Sequence, residues 1–325
     1  MVSYFVLNTM KIDRVACVGV GLIGHSWATL FSLRNLQVYI YDRSEEILET
    51  ALKRIESNLI FLENKKIINE EEPKRALNRI KMTTSIAEAV GQSDFIQESV
   101  TEDYSTKKVV FKEMDRYSPS NAILASSSSG LLMTEIQKST EKPGRCVLAH
   151  PILPPHLIPV VEIVGGEKTV QETINETYNF MLRVGKIPVL LNKEVPGYIV
   201  NRLQAALWRE AISLIANGVA SAEDVDRAFS MGVGLRDPLF GPFLRAHVAG
   251  GGIEQFIKNY SQSYGNRWRT METWTSIPNS ASKKVIESVR EMEVVRKGTL
   301  EEIEETRDEK LAEILALISP KHPFY

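Results

Sequence analysis

The sequence predicts an α/β fold, a Rossmann-like doubly wound sheet followed by an all-helical C-terminal domain. In residues 14–191, short apolar runs rich in β-branched side chains alternate with segments of helical spacing. A glycine-rich turn, "GVGLIG", follows the first apolar run and precedes the first helical segment. Beyond residue 193 only helical patterns remain. Alternating strands and helices are typical of a mostly parallel sheet with helices on both faces.

The predicted elements follow one another in a regular order. Strands are predicted at 14–18, 37–41, 80–83, 95–98, 122–125, 145–149, 158–164 and 187–191. Helices are predicted between them, including 22–34, 45–62, 106–117 and 169–184. Each predicted strand is an apolar run of about 4–8 residues, the usual length of a buried strand.

A change of character near residue 193 predicts two domains, 1–193 and 194–325. Pro196 and Gly197 interrupt the chain, and a helix is then indicated by apolar residues at helical spacing: Ile199, Leu203, Leu207, Leu214 and Ile215. The tail "TLEEIEETRDEKLAEILALI" is amphipathic, with Leu300, Ile303, Leu311, Ile314 and Leu315 on one side. Such a helix packs on its own core or on another subunit.

Composition excludes several classes of partner. The chain has 39 Lys and Arg against 41 Asp and Glu, with no basic tract, so neither nucleic acid nor a membrane surface is expected. Its apolar runs are shorter than the ~20 residues that cross a bilayer, and no leader precedes the fold, so a cytoplasmic protein is expected. Cys17 and Cys146 lie in strand-like runs and are expected to be buried thiols. No metal-ligand pattern is present.

The glycine-rich turn predicts a dinucleotide site. Gly19 would allow the tight turn, Gly21 the approach of a diphosphate and Gly24 close helix packing. Leu22 and Ile23, in the same turn, are also expected to bind the cofactor. Asp42 ends the next strand, where its carboxylate would bind a ribose diol and repel a 2′-phosphate, so NAD is preferred to NADP. Methyltransferase-like and purely structural turns with similar spacing are the alternatives.

An acid and a histidine form a candidate proton-transfer pair. Glu162 interrupts the apolar run "LIPVVEIV", where an unpaired carboxylate would be costly. His150 follows the run "RCVLA", and the proline-rich connection "PILPPHLIP" could return the chain so that the two side chains meet. A structural histidine beside a proline is the alternative, but the unexplained acid favours a general base.

Four segments carry a resemblance to a known family. In order, "IQESVTEDYSTKKVVF", "ASSSSGLL", "AHPILPPHLIPVVEIVGG" and "VPGYIVNRL" resemble the 3-hydroxyacyl-CoA dehydrogenase superfamily over nearly the whole chain. The segments "SSSSGLL", "ALWREA" and "HVAGGG" are similar to the branch of lambda-crystallin (L-gulonate 3-dehydrogenase) and L-carnitine dehydrogenase. The resemblance implies an NAD-binding Rossmann domain and a helical domain for substrate binding and homodimerisation.

The resemblance also implies roles for residues. It makes His150 and Glu162 a catalytic dyad, with Ser129 holding the reacting oxygen and Asn201 orienting the substrate. From the residues alone, the serine run after a strand indicates a polar loop or helix cap. A serine nucleophile is the other possibility, but no G-x-S-x-G elbow surrounds the run. Asn201, in the first turn of a helix, alone indicates a capping or surface amide.

Three further positions would face the cofactor. Glu102 and Lys107 match family positions that line its nicotinamide and ribose side, although a solvated surface pair is the alternative. Ser127 stands where the family usually has an asparagine near the nicotinamide, a departure that leaves its role open.

The expected function is therefore NAD-dependent oxidation of the 3-hydroxyl of a small free L-3-hydroxy acid, similar to L-gulonate or carnitine. Arg236 in "GVGLRDPLFG" is the candidate partner of the substrate carboxylate. The alternatives are an L-3-hydroxyacyl-CoA dehydrogenase, in which Lys65 and Lys66 would meet CoA phosphates, and a non-catalytic NAD-binding structural protein.

Overall fold

The computed structural model describes residues 10–318; residues 1–9 and 319–325 of the two predicted domains lie outside the described part. The strands are β1 Arg14–Val18, β2 Gln37–Tyr41, β3 Ile80–Thr83, β4 Phe95–Glu98, β5 Ile123–Ser126, β6 Cys146–Pro151, β7 Val160–Gly165 and β8 Ile187–Leu190. The first four have their predicted bounds. β7 begins two residues late because the amides of Leu157 and Ile158 donate to the Pro154 carbonyl in a turn.

All eight strands form one sheet in the order β3-β2-β1-β4-β5-β6-β7-β8. Neighbouring strands are parallel except β6 and β7, which are antiparallel. The central strands β4, β5 and β6 are buried along their whole length, as expected for strands covered on both faces.

The helices of the first unit are α1 Gly24–Leu33, α2 Glu45–Asn64, α3 Glu72–Leu77, α4 Ile86–Val90, α5 Tyr104–Tyr117, α6 Met133–Ile136 and α7 Gln171–Arg183. Apolar side chains of α1, α2 and α7 join one buried core on one face of the sheet. Those of α4, α5 and α6 join a second buried core on the opposite face. The sheet is therefore doubly wound, and the predicted fold class is confirmed.

The remaining elements are helical. They are α8 Val200–Ala216, α9 Ala222–Ala228, α10 Pro242–Gly250, α11 Ile253–Trp268, α12 Asn279–Arg290, α13 Glu293–Lys297 and α14 Leu300–Ile318. The described residues 10–318 form two compact units, which divide between Arg202 and Leu203. Within residues 10–318, no helix combines the length and apolar character needed to cross a membrane.

Candidate active site

The glycine-rich turn between β1 and α1 requires its glycines. Gly19 has φ +83°, and a Cβ there would lie 2.9 Å from the backbone of Ser99. A Cβ on Gly24 would lie 1.9 Å from the Gly19 carbonyl oxygen, so a side chain at either position would force the turn open. A Cβ on Gly21 would meet nothing within 4 Å, which leaves space above the turn.

The other predicted residues of this turn differ in exposure. Leu22 is 62% exposed, whereas Ile23 immediately precedes α1 and packs against the core. At the end of β2, Asp42 accepts hydrogen bonds from the amides of Val20 (3.1 Å) and Arg43 (2.9 Å). The carboxylate of Asp42 is therefore fixed beside the turn.

A cleft of about 620 Å³ lies along this edge of the first unit. Its lining includes Gly19, Gly21, Asp42, Ser99 and Thr106. The cleft offers a side-chain-free glycine turn that opens a helix, with a fixed carboxylate nearby, which are the features that a diphosphate and a ribose diol require. The residues present fit NAD.

The sheet register brings His150 and Glu162 together. In the antiparallel β6–β7 pair these two residues are direct partners, and Nδ1 of His150 lies 2.8 Å from Oε2 of Glu162. The other carboxylate oxygen of Glu162 accepts from the amides of Ile199 (2.7 Å) and Val200 (3.0 Å). Burial raises the pKa of the Glu162 carboxyl, but these hydrogen bonds outweigh it and hold the pKa below its ordinary value.

The ionised carboxylate determines which nitrogen of His150 carries the proton. A carboxylate only accepts hydrogen bonds, so Nδ1 donates to Glu162, and in the neutral imidazole Nε2 then presents the lone pair. Tyr198, with φ +49°, packs against the imidazole at 5.3 Å between ring centroids and donates to the Leu131 carbonyl at 2.6 Å. Tyr198 was missed by sequence reasoning, because "VPGYIV" indicates only a turn.

Glu102 organises the loop that carries the serine run. Its Oε1 accepts from the Ser128 hydroxyl (2.7 Å) and from the amides of Ser129 (2.8 Å) and Gly130 (3.0 Å). Burial raises the pKa of the Glu102 carboxyl, but these bonds and the charge of Lys107 lower it overall. Asn201, near the start of α8, donates from Nδ2 to the Ser129 carbonyl at 3.2 Å, so the structure brings these two predicted residues together.

Lys107 lies under this loop and is only 1% exposed. Its Nζ donates to Glu98 at 2.7 Å and lies 3.3 Å from Glu102. The alternative of a solvated surface pair is therefore wrong for Lys107. Glu98 is fully buried and also accepts from the Ser126 hydroxyl at 2.6 Å. Glu98 is an acid at the end of a buried strand, and this pattern could have predicted a buried cationic partner.

Lys186 supports the connection between β6 and β7. It is 4% exposed, and its Nζ donates to the carbonyls of Pro155 and Ile158, each at 2.6 Å. The ammonium also lies 5.1 Å from the centroid of the Trp27 ring. Burial lowers the pKa of Lys186 to about 7. Nothing in the sequence around Lys186 predicts that its side chain is buried.

Ser127 and Arg236 complete the predicted set. The Ser127 hydroxyl lies within hydrogen-bond distance of Trp27, Gln97 and Ser99. Arg236 belongs to the second unit, where it ends a 3₁₀ turn, Gly234–Arg236, and is exposed. Within residues 10–318, no group of three or more metal-ligating side chains is present.

Comparisons with known proteins identify the two domains of the chain. Residues 14–195 match the NAD-binding domain of 3-hydroxyacyl-CoA dehydrogenase, and residues 197–300 match its C-terminal domain. An L-carnitine dehydrogenase of Oceanobacillus iheyensis is 35% identical over 312 residues, or 95% of this chain and 99% of the relative. A 3-hydroxyacyl-CoA dehydrogenase of Gibberella moniliformis is 41% identical over 246 residues, or 75% of this chain and 74% of the relative.

A solved structure is similar over most of its length. It is that of 5-formyl-3-hydroxy-2-methylpyridine 4-carboxylic acid 5-dehydrogenase, described as an NAD⁺-dependent dismutase. It is 27% identical, has a TM-score of 0.80, and the match covers 94% of this chain and 97% of that chain.

Proposed function

Because the chain belongs to the 3-hydroxyacyl-CoA dehydrogenase family and is an NAD-dependent oxidoreductase, we propose that it oxidises the 3-hydroxyl of a small free L-3-hydroxy acid. The observation that carries the proposal is the 2.8 Å contact between His150 and Glu162. This contact leaves Nε2 of His150 as a base in the same unit as the dinucleotide cleft.

In the proposed reaction, His150 removes the proton of the substrate hydroxyl through Nε2. Bound NAD supplies the hydride acceptor. Glu162 fixes the imidazole through Nδ1 and stabilises the imidazolium that forms. A positioned general base contributes about 10²- to 10⁴-fold to the rate. In the reverse direction, the same imidazolium returns the proton to the oxygen.

Two side chains are proposed to hold the reacting oxygen. Ser129 is exposed on its loop, and the amide of Asn201 lies against the carbonyl of the same residue. The Ser129 hydroxyl donates to Oε1 of Glu102 at 3.3 Å, a long hydrogen bond that it would exchange for one to the oxygen that becomes a carbonyl. The Asn201 amide would donate to the same oxygen. Glu102 and Lys107 are proposed to act indirectly. Glu102 accepts from the Ser129 amide and Lys107 contacts Glu102, so the pair would position the loop on which Ser129 lies.

The substrate is proposed to be a free acid similar to L-carnitine or L-gulonate. Similarity to an L-carnitine dehydrogenase over 95% of this chain supports the first. L-gulonate is retained because of the sequence resemblance of "SSSSGLL", "ALWREA" and "HVAGGG" to that branch. In either case Arg236 is proposed to pair with the substrate carboxylate.

An L-3-hydroxyacyl-CoA is the second candidate, favoured by the 41% identity to a 3-hydroxyacyl-CoA dehydrogenase. Lys65 and Lys66, just after α2, are then the candidates for contact with the phosphates of CoA. A thioester has no free carboxylate, so its binding would not depend on Arg236.

We also propose a cytoplasmic homodimer formed through the second unit. Large apolar side chains of this unit are exposed, among them Phe243 (82%), Val248 (61%) and Trp268 (64%). Leu300 of α14 is 74% exposed. Such surfaces are typical of interfaces between subunits. The free, buried thiols of Cys17 and Cys146 suit a reducing compartment.

A substrate panel tests the proposal. NADH formation is measured with L-carnitine, L-gulonate, 3-hydroxybutyrate and 3-hydroxybutyryl-CoA, using wild type, Arg236→Met and the control Arg290→Met. We expect turnover of a free acid, with KM raised about tenfold by Arg236→Met because a charge-assisted hydrogen bond is lost, and unchanged in the control. Turnover of the CoA ester alone, without an effect of Arg236→Met, would assign the protein to the second candidate. NADH binding without turnover of any of them would indicate a non-catalytic protein.

A further inference from the structure

The hydroxyl of the half-buried Ser127 is the centre of a polar cluster on the carboxyl side of the sheet. Trp27 donates to it from Nε1 at 3.1 Å, and Gln97 donates from Nε2 at 2.7 Å. The oxygen of Ser99 lies 2.8 Å away. Trp27 and Gln97 are both fully buried, whereas Ser99 is partly exposed and lines the dinucleotide cleft.

The chemistry of the donors fixes the direction of these hydrogen bonds. An indole N–H only donates, and Nε2 of Gln97 also lies 3.2 Å from the Ala149 carbonyl oxygen, which only accepts. Both lone pairs of the Ser127 hydroxyl are therefore occupied, because a hydroxyl oxygen accepts two hydrogen bonds and donates one. Ser127 must then donate its proton to Ser99.

Ser99 is left with an unused donor. Its oxygen accepts from Ser127, and no other side chain or carbonyl within residues 10–318 pairs with its hydroxyl. Ser99 lies beside the glycine turn, since a Cβ built on Gly24 would be 3.6 Å from the Cβ of Ser99. In this fold the diphosphate of a dinucleotide lies at that turn.

The buried amide of Gln97 is consistent with a requirement that Ser127 donate to Ser99 rather than accept from it. Its Oε1 is buried and has no hydrogen-bond partner within the described part of the chain. An unsatisfied buried acceptor costs stability, and the hydrogen bonds that Nε2 of Gln97 donates to Ser127 and to the Ala149 carbonyl offset that cost. The two N–H donors of its amide are what the residue contributes.

We propose that Ser99 is a cofactor-binding residue whose hydroxyl donates a hydrogen bond to a diphosphate oxygen of NAD, and that Trp27 and Gln97 impose this direction through Ser127. Ser127, Gln97 and Trp27 are positioning residues because they act through Ser99. The inference concerns cofactor binding and is independent of which hydroxy acid is oxidised.

Equilibrium binding tests the proposal without turnover. NADH, ADP-ribose and adenosine are titrated into wild type, Ser99→Ala, Ser99→Thr and the control Ser57→Ala. The Ser57 hydroxyl donates to the Lys53 carbonyl on the exposed face of α2. Ser99→Ala should raise Kd for NADH and ADP-ribose about tenfold, since a hydrogen bond to a charged group is lost. Adenosine, which has no phosphate, should bind all variants equally, and Ser99→Thr should restore NADH binding.

A second variant tests the imposed direction. Gln97→Met removes the unsatisfied oxygen and frees one lone pair of Ser127, so the Ser99 hydroxyl can also turn inward. If the two orientations are then equally populated, Kd for NADH rises about twofold. The melting temperature is measured alongside to show that Gln97→Met is folded. Unchanged NADH binding by Ser99→Ala, or an equal loss of adenosine binding, would overturn the Ser99 assignment. Wild-type NADH affinity in Gln97→Met would overturn the role of Gln97.

Discussion

Replacement of Glu162 by glutamine is expected to reverse the tautomer of His150. The two oxygens of Glu162 have separate partners: one accepts from the amides of Ile199 and Val200, and the other from Nδ1 of His150. In Glu162→Gln, the single amide oxygen must accept from the two backbone N–H groups. The side-chain NH₂ then faces His150, so Nδ1 becomes an acceptor and Nε2 carries the proton.

The expected loss follows from that geometry. With Nε2 protonated, the imidazole cannot accept the substrate proton, and the negative charge beside the imidazolium is also gone. Loss of a general base costs about 10²- to 10⁴-fold, so kcat should fall by about 10³-fold. The two bonds from Ile199 and Val200 persist, so the free energy of unfolding should fall by only about 1–2 kcal/mol.

The assay is the initial rate of NADH formation, together with NADH binding and urea unfolding. Glu167→Gln is the matched control, because Glu167 is an exposed acid shortly after β7. We expect wild-type NADH affinity in both variants and a loss of kcat in Glu162→Gln alone. A kcat for Glu162→Gln within about threefold of wild type would refute the tautomer argument.

Three further predictions concern cofactor choice, pH dependence and thiol reactivity. Asp42→Ala should narrow the preference for NAD over NADP, mainly by weakening NAD binding. Equal use of NAD and NADP by the wild type would contradict the role of Asp42 in cofactor choice. Burial lowers the pKa of Lys186 from 10.5 to about 7. Between pH 7 and pH 10.5, the Lys186 side chain is therefore protonated in the unfolded chain and neutral in the folded one. The free energy of unfolding should therefore rise with pH over this range, by up to about 1.4 kcal/mol per pH unit. Urea unfolding should show a less steep rise in Lys186→Met. Burial raises the pKa of both Cys17 and Cys146, so a thiol reagent should label them in urea but not in the native protein.

Much of the fold could be predicted because its signals are local. Apolar periodicity gave β1 to β4 their observed bounds, and the glycine turn with Asp42 predicted the cleft for NAD, the cofactor that the family match supports. The family resemblance is confirmed by the two matching domains. Pairing of His150 with Glu162 was predicted from the cost of a buried acid, and the antiparallel register supplies the contact.

The supporting residues could not be predicted because their burial depends on distant parts of the chain. Lys186 resembles any lysine after a helix, yet it lies under carbonyls of the connection that contains Pro155. Lys107 has the same charge as the exposed Lys112 on α5, and its contacts with the fully buried Glu98 and with Glu102 explain its position. Sequence spacing specifies faces of helices and strands, whereas such pairs depend on tertiary contacts.

The account depends most on His150 as the base of an NAD-dependent oxidation. Its most direct test is a single-turnover measurement of NADH formation from saturating NAD and the 3-hydroxy acid selected by the panel, in wild type and His150→Gln. We predict a rate at least about 10²-fold lower in His150→Gln, with the affinity for NADH within about threefold of wild type. A rate in His150→Gln equal to that of wild type would contradict the account.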